Sequence, residues 1–166
     1  AIVDAQKDFI DGSMGVGMEK WKKAKAAIID LMKKEKYDSI VYTKDWHPTN
    51  HCSFKDQGGP WPSHCVAGEK GAEIDAELLA VNIPSVTLNK GCNPNVEEYG
   101  IDVLPNVDNV KELHLVGLCF DYCVQSCAKE TAKTHPNTKI VVKKAGTVAI
   151  DENAKIDWEG LNVKVE

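Results

Sequence analysis

The chain has 166 residues, 43% of them hydrophobic, and a formal net charge of −5. That length supplies a real core without cross-links, and interspersed lysines and acids exclude a dedicated nucleic-acid surface while remaining compatible with a small or uncharged ligand. No apolar run approaches the roughly 20 residues of a membrane helix, and no basic-then-apolar leader opens the chain, so the expected setting is cytoplasmic.

In chain order, "AIV" reads as a short strand ending at Asp4, followed by a glycine-bearing loop from Gly12 to Gly17. From Glu19 to Lys36 apolar residues recur at Trp21, Ala24, Ile28, Leu31 and Met32, the stripe of an amphipathic helix. "SIVYT" (39–43) is a buried strand, and residues 44–71, rich in proline, glycine and histidine, form a long loop. Glu73–Val81 reads as a helix, "SVTL" (85–88) and "ELHLVG" (112–117) as strands, and Asp121–His135 as a helix. "KIVV" (139–142) and "LNVKV" (161–165) complete the strands. Strands alternating with helices imply one α/β domain over 1–166, three-layered, with a mainly parallel central sheet. The six cysteines, at 52, 65, 92, 119, 123 and 127, contain no C-x-x-C pair and read as reduced thiols.

The chemistry-bearing residues fall at corresponding places on that frame. Asp4, Asp45 and Lys90 each follow a predicted strand, and Cys123 lies just beyond another. Open α/β sheets bind ligands at the carboxyl ends of their strands, so four separated segments deliver polar groups to one rim. The stretch "KDWHPTNHCSF" with "GGPWPSHCVAG" adds a local cluster. Asp45, His47 and His64 supply one carboxylate and two imidazoles, a set suited to zinc, iron(II) or manganese with positions left open. The competing reading is that loop Asp and His residues merely cap turns. His51 is either a fourth ligand or a partner behind the ligands. Cys123, expected to open a helix, is a candidate nucleophile whose pKa a helix N-terminus would lower; the alternative is a buried, inert thiol, the reading given to Cys119 and Cys127. Asp4, Lys90, Phe9 and Trp61 are ambiguous taken singly.

Together "IVDAQKDF", "TKDWHPTNHCSF", "GPWPSHCVAGEKGAEI", "NKG" and "GLCFDYCV" resemble the isochorismatase-like cysteine hydrolases, and within them the nicotinamidases or pyrazinamidases. The resemblance spans most of the chain and rests on the order and spacing of these motifs. It implies a catalytic triad of Asp4, Lys90 and Cys123, and a metal, zinc first with Fe2+ or Mn2+ as alternatives, on Asp45, His47 and His64. It further implies a substrate pocket of Phe9, Trp61 and Tyr99, an oxyanion hole from the backbone N–H groups of Cys119 and Cys123, and a cis peptide between Leu118 and Cys119. The implied reaction is amide hydrolysis of a small molecule, nicotinamide, through a thioester, in NAD salvage; a homo-oligomer is compatible with it. Two departures stand out. The serine and aromatic segment usual after "EEYG" is missing, and the loop after Met14 is short; as true deletions, both leave the pocket more open. Cys119 replaces the commoner alanine, which is tolerable where only its N–H is used. Rival readings are a superfamily amidohydrolase acting on a ureido or carbamoyl substrate, an isochorismatase proper, an iron(II) oxygenase, and a non-catalytic metal-binding domain.

Overall fold

The computed structural model describes residues 1–166. Six strands, β1 (Ile2–Val3), β2 (Ile40–Asp45), β3 (Ser85–Lys90), β4 (Glu112–Leu118), β5 (Lys139–Val148) and β6 (Val163–Val165), form one sheet in the order β3-β2-β1-β4-β5-β6. Every neighbouring pair is parallel. The order reverses direction between β1 and β4, which opens a crevice at the carboxyl ends of those strands.

Alternation along the strands divides the core in two, as expected of a sheet buried on both faces. Ile2, Ile40, Tyr42, Val116 and Leu118 pack with Trp21, Ala24 and Ile28 of α2 (Met18–Lys34). Val3, Leu113, Leu115, Ile140 and Val142 pack on the other side with Val124, Cys127, Ala128 and Ala132. The last three belong to α4 (Gln125–Thr134); a wide helical turn, Phe120–Val124, precedes it. Two short helices, α1 (Lys7–Ile10) and α3 (Ala76–Leu79), complete the set.

The structure departs from the sequence expectation in three places that bear on the site. The helix expected over 73–81 shrinks to Ala76–Leu79. Its intended first turn is taken up elsewhere: Ile74 bridges Gln6, Lys7 N donates to Glu73 O at 3.0 Å, and Asp75 N donates to Ala5 O at 2.8 Å. Strands β2 and β3 run further than expected, so Asp45 and Lys90 are their last residues and stand opposite one another in register. Cys123 lies within the wide turn rather than at a helix start.

Candidate active site

The strand ends assemble a buried polar group. Asp4 and Lys90 are 0% and 1% exposed, and Asp45 and Cys123 each 4%. Asp4 leaves β1 in the left-handed region, φ 43°, and its Oδ1 accepts a 2.7 Å hydrogen bond from Thr43 Oγ1. Its Oδ2 lies 2.9 Å from Lys90 Nζ, but no aligned donor hydrogen-bonds to it. Lys90 Nζ donates to Asp45 Oδ1, its cross-strand neighbour, and to Cys123 Sγ at 3.5 Å. Carboxylate oxygens of Asp4 and Asp45 and the sulfur of Cys123 lie within 4.8 Å of one another.

Burial alone would discharge Lys90, but Asp4 and Asp45 more than offset it and hold the ammonium pKa well up. Burial would likewise raise Asp45; Lys90 and His47 outweigh it and keep that carboxylate ionised. Asp4 comes out the other way: burial, reinforced by Asp45, raises its pKa despite Lys90. The expectation of a lowered Cys123 pKa is overturned. Burial pushes the thiol well up and Lys90 only partly counters it, so the resting group is a thiol that needs a base beside it.

Asp45, His47 and His64 bring one ligand atom each within 4.8 Å of one another. His47 Nδ1 lies 2.8 Å from the Gly91 carbonyl and His64 Nδ1 2.8 Å from that of Pro62. A carbonyl only accepts, so both rings carry a proton on Nδ1, which leaves Nε2 as the nitrogen that could ligate a metal once it carries no proton. His47 Nε2 faces Asp45 Oδ2 at 3.4 Å. Two imidazole lone pairs and a buried carboxylate fit a divalent metal. A side chain at Gly91 would put its Cβ 2.3 Å from His47 Cε1, so the glycine makes room for that ring. Gln6 fixes Asp45 by its backbone: Asp45 N donates to Gln6 Oε1 and Gln6 Nε2 to Asp45 O, each at 2.8 Å. His51 lies outside this group, with both ring nitrogens already engaged. Its Nδ1 pairs with Ser53 Oγ at 2.7 Å and its Nε2 with Val96 O at 3.1 Å, and its ring packs against His47 at 4.1 Å.

Above these groups lies a cleft of about 350 Å³ lined by Phe9, Trp61 and Tyr99, all anticipated, with Asp45, His64, Cys119 and Cys123. Trp61 Nε1 donates to Tyr99 OH at 3.0 Å. Tyr122, Met14, Glu97 and Ile150 also line it and went unrecognised in the sequence. Tyr122 sets its ring edge-on to Trp61 at 5.3 Å and beside Tyr99 at 5.5 Å. Its position beside Cys123 was the available signal. The Leu118–Cys119 peptide is cis, as expected, and the Cys119 N–H donates to no group of the chain. A second apolar cleft, of about 360 Å³, lies at the opposite ends of the strands, among Ile28, Met32, Tyr37 and His114, away from these groups.

Comparisons with known proteins place the chain in a family. The chain is 30% identical over 162 residues to the nicotinamidase/pyrazinamidase of Mycobacterium tuberculosis, covering 90% of this chain and 87% of that one. It is similar to the pyrazinamidase of Pyrococcus horikoshii solved in complex with zinc, at TM-score 0.70 and 30% identity over 91% of this chain and 86% of that one. PnC1 from L. infantum, solved in complex with nicotinate, superposes at TM-score 0.80 with 29% identity, over 91% and 80% of the two chains. The Isochorismatase domain model matches residues 1–155, and the chain belongs to the isochorismatase family.

Proposed function

We propose that the chain is a nicotinamidase, converting nicotinamide to nicotinate and ammonia through a cysteine thioester, in NAD salvage. One observation supports this most: a single buried ammonium, Lys90, lies within reach of a carboxylate base, a thiol and the carboxylate of a metal-competent group. Similarity to nicotinamidases and pyrazinamidases over most of the chain supports the substrate. In this reading Asp45, His47 and His64 would hold one divalent metal, zinc first with Fe2+ or Mn2+ as alternatives, whose open position supplies a binding point for the pyridine nitrogen.

The chain's own residues then carry the steps. Phe9, Trp61, Tyr99 and Tyr122 flank the ring and set the carboxamide over Cys123. Asp4, whose Oδ2 has no aligned donor, takes the thiol proton, and Lys90 keeps Asp4 oriented and compensated. The sulfur attacks the amide carbon, and the N–H groups of Cys119 and Cys123 face the developing oxyanion. Asp4 returns its proton to the departing ammonia, and water cleaves the thioester. Purified, zinc-loaded protein should release ammonia from nicotinamide at a rate proportional to enzyme, and the absence of release would refute the reading.

The ureido or carbamoyl alternative, which has no ring nitrogen to anchor, leaves the Asp45, His47 and His64 group without a use. The oxygenase and non-catalytic readings leave the buried Asp4, Lys90 and Cys123 group without a role. No helix is long and apolar enough to cross a membrane.

A further inference from the structure

We propose that Asp8 is a positioning residue for the metal centre, holding Cys65, the residue whose backbone links the two histidine-bearing segments. The inference rests on the reading of Asp45, His47 and His64 as a metal site. Asp8 lies in the second turn position of α1, a place where an acid ordinarily serves only the helix end. Its carboxylate instead reaches 57 residues along the chain: Oδ2 accepts the Cys65 N–H at 2.7 Å. Cys65 directly follows His64, and its carbonyl accepts the His47 N–H at 3.0 Å. One residue, Cys65, therefore joins the two imidazole-bearing segments: Asp8 accepts from its N–H and His47 donates to its carbonyl.

The grip has something to resist. Cys65 is fully buried and sits at φ 47°, a conformation that L side chains other than Asn and Asp seldom adopt. Such a residue persists only where its surroundings over-determine it, and a charge-assisted bond from a carboxylate to a backbone N–H is among the stronger ways to do so. The fold also keeps space for that carboxylate on two sides. A Cβ at Gly71 would stand 2.0 Å from Asp8 Oδ2, and one at Gly12 2.3 Å from Oδ1. The next residue, Phe9, packs its ring on His64 at 5.5 Å, so consecutive side chains of α1 brace the same ligand, one through its backbone and one through its ring. Asp8 touches none of Asp4, Lys90 or Cys123, so its effect should appear in the metal site and not in the thiol.

The test is the zinc dissociation constant, measured by chelator competition on stripped and reloaded protein, together with the iodoacetamide reaction rate of Cys123. Asp8→Ala should weaken zinc by about 10–100-fold, the range for partners that orient metal ligands, and Asp8→Asn, which keeps a neutral acceptor, should lose less. Alkylation of Cys123 in the metal-free proteins should stay within about twofold of wild type, since no triad contact changes. Ile28→Ala, a core truncation in α2, controls for general loosening and should leave zinc binding near wild type. Asp8→Ala binding zinc within about twofold of wild type, or Ile28→Ala losing as much, would overturn the proposal. A wild-type protein that binds no zinc at all would instead remove the metal-site reading beneath it.

Discussion

The two halves of the site meet at Asp45 and Lys90 yet are built by different means. The Asp4, Lys90 and Cys123 group comes from the ends of two strands, β1 and β3, and the turn after β4. Its geometry follows from sheet register: Asp45 stands opposite Lys90, and Val3, just before Asp4, stands opposite Thr43 and Gly117. The Asp45, His47 and His64 group draws two of its three side chains from an irregular segment, where each imidazole is oriented by one hydrogen bond, to Gly91 O or Pro62 O, and the His47 backbone by a short bridge to residues 65–67. A sheet distributes its constraint over many backbone bonds, whereas a loop concentrates it in a few. The triad should therefore fail only when its own atoms are removed, while the metal group should be sensitive to its supports.

The largest expected effect isolates the first half. Cys123→Ala should lower kcat for ammonia release by at least about 10⁴-fold, as loss of a nucleophile does elsewhere, while zinc binding stays near wild type. Cys119→Ala should keep most activity, since the proposed mechanism gives a role only to its N–H. Near wild-type turnover by Cys123→Ala would mean that the thiol is not the nucleophile. The converse variant, His47→Ala, should weaken zinc by at least about 100-fold and leave the metal-free alkylation rate of Cys123 little changed. If both quantities fell together in either variant, the two halves would be one unit and the contrast would be wrong.

This difference also explains what was legible in the sequence. Asp45, His47 and His64 were visible as a local cluster, because they follow one another within twenty positions at and just after the end of β2. Placing Asp4, Asp45, Lys90 and Cys123 at strand ends, which the alternating pattern allowed, showed only their convergence on one rim; their grouping as a triad came from the family resemblance. The apolar stripe of α2 was legible for the same reason, since its period is set by the residues themselves. What stayed hidden depends on tertiary contact. The segment before α3 pairs with Gln6 and Ala5 instead of starting a helix, and Tyr122 becomes a pocket wall only because Trp61 and Tyr99 arrive beside it. The direction of the Cys123 pKa went wrong because helix position was visible and full burial was not. His51 looked like its neighbours in sequence, but Ser53 and Val96 occupy both its nitrogens.

Substrate analogues separate the halves without mutation. Nicotinamide and pyrazinamide both carry a ring nitrogen meta to the carboxamide-bearing carbon and should be hydrolysed efficiently. Benzamide offers the triad the same amide but gives the metal group no lone pair. Picolinamide has a nitrogen in the wrong place, and a misplacement near an ångström can cost about 100-fold in rate. The ratio of kcat/KM values should fall by about that factor for picolinamide, with benzamide comparably poor. Benzamide turning over as well as nicotinamide would show that the imidazoles do not anchor the ring.

The smallest effect tests the loop's dependence on its supports most directly. Gly91 follows Lys90 immediately, so its carbonyl is the hinge between the two halves: it accepts from His47 Nδ1 at 2.8 Å, while its N–H donates to Glu98 Oε2 at 2.8 Å. At φ 62° an alanine there costs about 1 kcal/mol of backbone energy, and its Cβ would sit 2.3 Å from His47 Cε1 and 2.6 Å from Nδ1. The ring is buried and cannot swing away freely, so the imidazole shifts or the carbonyl that orients it does. Either response misaligns Nε2 with Asp45 Oδ2 and with His64, which should weaken zinc by about tenfold, the low end for a disturbed orienting partner. Lys90 is held by carboxylates from two strands, so its contact with Cys123 should persist and the alkylation rate should be unchanged. Gly91→Ala with wild-type zinc affinity would mean that the histidine loop is as firmly determined as the sheet.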